Sequence, residues 1–377
     1  MTSTNVSTPA LLIDHERFAR NVARMNRRLG RLGVPLRPHL KTVKNVELAR
    51  RMMAGHSAGA TVSTLAEADY FYAAGIDDLL YAVGIAPGKL AEVARRIADG
   101  MKLMLVLDHP DAARAVARAA AEHLTEFQVL LEIDADGHRA GFQPEDPGLI
   151  EAAGILRDGG ATTAGVMVHA GGSYGCRDRD CLVRMARQER DAAVAATRTL
   201  RSAGFDAPVT SVGSTPTAMF AEDLTGVTEV RAGVYAFMDL VMAGLGVCEL
   251  DDIAISVLTE VIGHRTREGQ VLVDAGWMSL SRDRGTADQA IDRGYGVICD
   301  ETGHVLSPEV IVRATNQEHG ILSRRDGESL NLDKFPIGSR LRILPNHACA
   351  TAGQFEHFCM VDSEGNPLQR LERCRGW

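Results

Sequence analysis

Three basic side chains fall close together in the segment ProLeuArgProHisLeuLysThr, residues 35–42. Read as a strand, this segment alternates faces, so Arg37, His39 and Lys41 share one side and Leu36, Pro38 and Leu40 the other. A lysine crowded by other cations and partly desolvated is primed to act as a free amine, the form that Schiff-base chemistry requires. A solvated basic strand end would show the same pattern. A second pair lies in LeuProAsnHisAlaCysAlaThr, residues 344–351. His347 and Cys349 are two apart, so on a strand or extended loop both point the same way. Imidazole plus thiolate is a zinc pair by ligand softness. A protein zinc site usually needs three or four ligands and a lone cysteine is often packing, so the pair alone leaves both readings open.

Other segments offer partners. GluIleAspAlaAspGlyHisArgAlaGly (132–141) brings Glu132 and Asp134 to one strand face, with Arg139 beyond a turn at Gly137. ValMetValHisAlaGlyGlySerTyrGly (166–175) ends a strand in His169 and runs into a glycine-rich loop with Tyr174. These two could be acid/base or substrate-orienting groups, or a packed histidine and an aromatic lid. Gly213, Ser214 and Thr215 offer amides and hydroxyls suited to a phosphate, and Gly233, Val234 and Tyr235 form a second such loop. No nucleotide-binding glycine motif stands between a strand and a helix.

The elements that must hold these groups follow from periodicity. Short apolar, β-rich runs lie near 34–40, 59–63, 79–83, 103–107, 128–134, 163–169, 208–212 and 228–235. Amphipathic helical patterns separate them, as at 46–53, 89–98 and 184–195. Eight alternating units predict a (β/α)8 barrel of the TIM type, with a doubly wound open sheet as the alternative. In a barrel, the basic segment, Arg139, His169 and the two phosphate-type loops would all sit at strand C-termini, where barrel active sites lie, with phosphate bound after strands seven and eight. Beyond residue 245 short β-rich runs follow one another at 253–262, 270–274, 309–313, 340–344 and 357–361, which predicts an all-β domain. The expected division is a barrel over 15–245 and a β-domain from 1–14 and 246–377, carrying His347 and Cys349.

ArgProHisLeuLysThr resembles the lysine segment of the D-serine dehydratase and D-threonine aldolase group, fold-type III pyridoxal phosphate (PLP) enzymes related to alanine racemase. The resemblance runs from ThrProAlaLeuLeuIleAsp (8–14) to the C-terminal region. It implies an alanine racemase-like barrel plus a β-domain, and PLP on Lys41. It implies cofactor contacts from His39, Arg139 (near the phenolic oxygen), Tyr174, Gly213, Ser214, Thr215, Gly233, Val234 and Tyr235. His169 and Tyr174 join Lys41 as catalytic groups. ProAsnHisAlaCysAlaThr is similar to the metal segment of the dehydratase branch, whereas the aldolase branch places Asp two residues after the His. Here Cys349 stands at that position, which favours Zn2+ over Mn2+ or Mg2+ and dehydratase over aldolase. Segments 274–285 and 316–320 resemble the dehydratase β-domain; Arg282, Asp283 and Arg284 fit a surface or a subunit contact as well. The resemblance implies a lyase that takes water from D-serine, D-threonine or D-threo-3-hydroxyaspartate to give a keto acid and ammonia. A retro-aldolase is the alternative; a racemase or a non-catalytic PLP-binding protein fits less well. It also implies a homodimer, which light scattering would test against the chain mass of 40.6 kDa.

Bulk properties agree with a small-molecule enzyme. The 377 residues are 45% hydrophobic and 24% charged, enough for a sizeable core. A net charge of −8 argues against nucleic acid or an anionic membrane as partner, while leaving room for a locally basic pocket. No signal-peptide pattern or membrane-length run is seen, and the seven scattered cysteines predict a reduced, cytoplasmic protein.

Overall fold

A computed structural model describes residues 6–377. Its contacts divide the chain into two compact units, Met25–Gly233 with Cys374–Trp377, and Met1–Arg24 with Val234–Arg373. The first helix, α1 (His15–Leu32), therefore spans a unit boundary.

The first unit is the barrel. Strand β1 (Ala10–Asp14) belongs elsewhere; the barrel strands are β2 (Leu36–Pro38), β3 (Ala60–Val62), β4 (Asp78–Gly84), β5 (Lys102–Leu107), β6 (Gln128–Ile133), β7 (Thr162–Val168), β8 (Val209–Val212) and β9 (Glu229–Ala232). All neighbouring pairs are parallel, in the order β2-β9-β8-β7-β6-β5-β4-β3. The ring closes between β2 and β3 through isolated bridges, Leu36 with Ser57 and His39 with Thr61, rather than a continuous ladder. Parallel strands covered on both faces read as unbroken apolar runs, and Leu103–Leu107 is buried at every position. Helices α2 (Val46–Met53), α3 (Leu65–Ala73), α4 (Leu90–Ala98), α5 (Pro110–His123), α6 (Pro147–Asp158), α7 (Arg179–Ser202) and α8 (Thr215–Phe220) connect them. Polar caps set their starts: Asn45 accepts the Leu48 N–H, and Asp178 that of Cys181. The buried stripe of α7 runs through Leu182, Ala186, Glu189, Ala193, Ala196 and Leu200, with a carboxylate in its middle.

Arg37 corrects one expectation. It does not face the mouth with His39 and Lys41. It is buried, with Nε 2.8 Å from Glu229 and Nη1 2.7 Å from Asp78. Both carboxylates open their strands, so Arg37 seals the N-terminal end of the barrel. Breaking such a buried pair from one side costs about 3–5 kcal/mol, so this end is structural.

The second unit is a nine-stranded, mainly antiparallel sheet. Its strands are β1, β10 (Ile255–Arg265), β11 (Gln270–Val273), β12 (Gly296–Cys299), β13 (Val310–Thr315), β14 (Gly320–Arg324), β15 (Arg340–Pro345), β16 (His357–Val361) and β17 (Pro367–Glu372). The order is β11-β14-β13-β12-β15-β10-β1-β16-β17, so β1 lies between β10, antiparallel, and β16, parallel. Three short helices, α9 (Leu240–Gly244), α10 (Trp277–Leu280) and α11 (Ala348–Ala352), interrupt it.

The all-reduced reading of the cysteines is also corrected. Cys176 and Cys181 form a disulfide, because the turn before α7 brings their Cα atoms to 5.5 Å, within bonding reach. No helix among the described residues is long and apolar enough to cross a membrane.

Candidate active site

The barrel's strand C-termini carry the predicted groups. Strand β2 ends at Pro38, and residues 40–43 form a turn, so Lys41 sits in that turn and not on the strand. Its side chain is exposed, against the expected desolvation: strand alternation no longer applies past His39, and the turn carries the amine outward. His39 still belongs to the barrel wall, its N–H donating to Ala232 O at 2.8 Å. Its Nε2 lies 3.4 Å from Ser63 Oγ, and its Nδ1 is buried with no hydrogen-bond partner. His169 follows β7 and hydrogen-bonds through Nδ1 to Gly213 O at 3.0 Å. A neutral ring donating there leaves Nε2 as an acceptor. Arg139, in the loop after β6, is largely exposed and pairs with Glu132 at 2.8 Å. Tyr174 is 41% exposed, in the helical turn Gly171–Gly175.

Charges converge here. Burial, then Lys41, Arg231 and His169, push His39 well below its ordinary value. Burial lowers His169 to about 4, helped by Arg231, Arg139 and Lys41 and opposed by the Gly213 carbonyl. A focus of positive charge in an acidic chain, beside an orphaned imidazole nitrogen, suits an anionic, polar ligand. The unfolded chain would protonate both rings near pH 6.5, while the native state resists. Stability is therefore complete above pH 6.5 and is lost as pH falls from 6.5 towards 4. For His169 the shift corresponds to at most about 3 kcal/mol, an upper bound because the ring is partly exposed. Urea unfolding of the cofactor-free protein should show this acid loss, and His169→Gln should flatten it; equal pH slopes for the two would refute the assignment.

The phosphate-type loops are built differently from their sequence appearance. Ser214 caps α8 in a capping box: its Oγ accepts the Thr217 N–H at 3.2 Å, and its own N–H donates to Thr217 Oγ1 at 3.0 Å. Thr215 is the buried first residue of that helix. Gly213 has φ +134°, and a Cβ there would lie 2.2 Å from Arg231 O, so neighbouring strand backbone demands the glycine. A Cβ on Gly233 would come within 2.7 Å of His39 O. Val234 and Tyr235 begin a short helical turn and are buried.

In the sheet unit, His347 and Cys349 are not on a strand. His347 is the N-cap of α11 and Cys349 lies in its first turn, so helix geometry rather than strand alternation juxtaposes them. His347 Nδ1 is 2.6 Å from Asp283 Oδ2, which fixes the orientation of the ring, and its side chain also hydrogen-bonds to Cys349. Burial opposes the imidazolium, but Asp283, Cys349 and Asp239 outweigh it and raise His347 to about 11. Asp239 is buried and accepts the Met242 and Ala348 N–H groups, fixing the start of α11. Among the described residues no group of three or more His, Cys, Asp or Glu side chains is gathered to hold a metal. The fit is thus a two-residue imidazole–thiolate donor set with an orienting carboxylate, leaving positions open.

Family models match both units. The alanine racemase N-terminal domain covers residues 13–241. The chain belongs to the alanine racemase N-terminal domain family. A putative serine dehydratase domain covers 254–361 of this alanine racemase-family chain. It is 49% identical to D-threo-3-hydroxyaspartate dehydratase of Delftia sp. (strain HT23), over 100% of this chain and 99% of that one. It is 28% identical to D-serine dehydratase of Dictyostelium discoideum, over 99% and 98%. The solved Delftia structure superimposes with TM-score 0.97, covering 100% of both chains at 49% identity. A metal-free form of that enzyme, with a cysteine replaced by alanine, also gives 0.97 at 48% identity, over all of both chains. D-threonine aldolase from Filomicrobium marinum gives 0.82 at 27% identity, over 98% of this chain and 95% of that one. The family's barrel plus antiparallel sheet is the architecture expected from the sequence.

Sequence reading missed several supporting groups of this alanine racemase-family site. Arg231 is fully enclosed, donating to Ser211 Oγ and Val168 O, each at 2.7 Å. Strand alternation places it on the same face as Gly233, a signal that could have found it. Glu189, buried on α7, accepts the Ala170 N–H at 2.9 Å and so anchors the loop after His169. A carboxylate inside the apolar stripe of α7 was its only signal. Asp283 lies 64 positions before His347, and no spacing rule links them. If His347 holds a metal, Asp283→Asn should weaken its binding by about 10–100-fold, the usual loss when the orienting partner of a ligating histidine is removed. Competition with a chelator reads this, and wild-type affinity in the variant would rule Asp283 out.

Proposed function

We propose that this chain is a PLP- and zinc-dependent dehydratase, converting a β-hydroxy-D-amino acid to a keto acid and ammonia. The observation that carries the reading is the His347–Cys349 pair, oriented by Asp283, within the segment that matches the serine dehydratase domain. Of the substrates considered, D-threo-3-hydroxyaspartate takes first place through the relative at 49% identity, ahead of D-serine and D-threonine.

Lys41 holds PLP in this reading. His39, Arg139, Tyr174 and the loops at Gly213–Thr215 and Gly233–Tyr235 form its surroundings. Bound PLP supplies an electron sink that acidifies the substrate's Cα–H. A zinc ion on His347 and Cys349 supplies Lewis acidity that makes the β-hydroxyl a better leaving group. The chain's own groups do the rest. Once the substrate amine has replaced it, the Lys41 amine is free to take the Cα proton, serving one face and so one enantiomer. His169, neutral at working pH because of burial, stays a hydrogen-bonding group rather than a cation. Loss of water followed by hydrolysis releases keto acid and ammonia. A homodimer in the cytoplasm completes the proposal.

The purified protein with PLP and Zn2+ should turn D-threo-3-hydroxyaspartate, D-serine or D-threonine into keto acid plus ammonia, and a chelator should stop it. Glycine plus an aldehyde as the products would replace this reading with the aldolase one.

A further inference from the structure

The turn that carries Lys41 is fastened at one residue. We infer that Lys44 is a positioning residue for Lys41, held by Glu67 on one side and by the backbone of Cys374 on the other; this rests on the reading of Lys41 as the cofactor lysine. Leu40 N–H donates to Thr61 O at 2.8 Å, and Lys44 N–H donates to Leu40 O at 2.8 Å. Residues 40–44 are therefore a closed turn, with Lys41 its second member and its Leu40 end tied to the strand β3. At the other end Lys44 has φ +46°, the left-handed region that a residue with a Cβ adopts only when its surroundings impose it.

Those surroundings are specific. Lys44 Nζ lies 3.0 Å from Glu67 Oε1, and the Glu67 side chain is completely buried. The other Glu67 oxygen accepts the Ser63 N–H at 2.7 Å, next to the hydroxyl that approaches His39. The Lys44 carbonyl accepts the Cys374 N–H at 2.7 Å, and Cys374 Sγ donates to Ala66 O at 3.6 Å. Asn45 then caps α2, so the turn cannot relax into that helix. Two lysines three apart thus have opposite situations. The Lys44 amine is engaged with a buried carboxylate, while the Lys41 amine projects into solvent from a fixed base. A group that must both carry a cofactor and take a proton from one face needs such a base.

The test compares Lys44→Gln, Lys44→Arg and the double variant Lys44→Gln/Glu67→Gln as holoenzymes. Lys44→Gln alone strands a buried carboxylate, so the double variant, which removes both charges, keeps the test open if the single one does not fold. In the double variant PLP affinity should fall, the cofactor's visible band should shift, and kcat should drop on the order of a hundredfold with KM unchanged. Lys44→Arg should restore most of each. A folded double variant with wild-type PLP affinity, band and kcat would overturn the inference. Borohydride reduction of the wild-type holoenzyme with peptide mapping separates the two ideas. PLP fixed to Lys41 upholds the underlying reading, so that unchanged variants then defeat the positioning role alone. PLP fixed to Lys44 or to neither lysine defeats the underlying reading and the inference with it.

Discussion

Lys41→Ala should lower kcat by at least about 10⁴-fold, the upper end of what a positioned proton-transfer group contributes. The loss is expected to be this large because Lys41 has two tasks in the proposed reaction, carrying PLP and receiving the Cα proton. The folded state should hardly notice. Lys41 is exposed in the turn at residues 40–43, and exposed substitutions of this kind usually change stability by less than about 0.5 kcal/mol. Rate and urea unfolding measured on the same preparation separate a chemical defect from a folding one. A variant that is folded and retains even a few per cent of the wild-type rate would remove Lys41 from the centre of the mechanism.

Removing the metal pair should be nearly as severe. In the proposed reaction hydroxide must leave the β-carbon, and a Lewis acid supplies several kcal/mol to that step. At 1.36 kcal/mol per factor of ten, Cys349→Ala or His347→Ala should cost on the order of 10³-fold in keto acid formation. The matching loss should follow chelation of the wild type and be reversed by added Zn2+. Asp283→Asn differs in kind: its deficit is in affinity, so excess Zn2+ should restore its rate but not that of Cys349→Ala. Full dehydratase rate in Cys349→Ala under chelation would sink the metal-assisted account.

The eight barrel strands were legible because parallel strands buried on both faces leave continuous apolar runs such as Leu103–Leu107. The sheet unit was less so. Strands β12, β14 and β17 escaped notice: GlyValIleCys is only four residues long, and β17 opens with Pro367 and is mostly exposed at the sheet edge. The site divided in the same way. Lys41, His169, Arg139, His347 and Cys349 stand in short segments with recognisable neighbours. Arg37 was misplaced because alternation says which face a residue takes but not which end of the barrel its partners occupy. Asp78 and Glu229, which decide that, are 41 and 192 positions away. Asp283, Asp239 and Glu189 act through hydrogen bonds to distant backbone or imidazole groups, contacts that exist only once the chain has folded.

The place of β1 bears on how the molecule is made. Ile13 pairs with Ile255 and also with Met360, so during synthesis β1 has no partner until the chain has grown past β10. The barrel strands, Leu36 to Ala232, need nothing beyond residue 233 for their ladders. A growing chain can therefore complete the barrel while Ala10–Asp14 stays unpaired, with four of its five residues apolar. In such a growing chain a short apolar strand would lack its partners after the ladders of the parallel sheet are complete. A stalled or truncated message would leave that strand permanently exposed, and the edges of β10 and β16 open in any chain that lacked it.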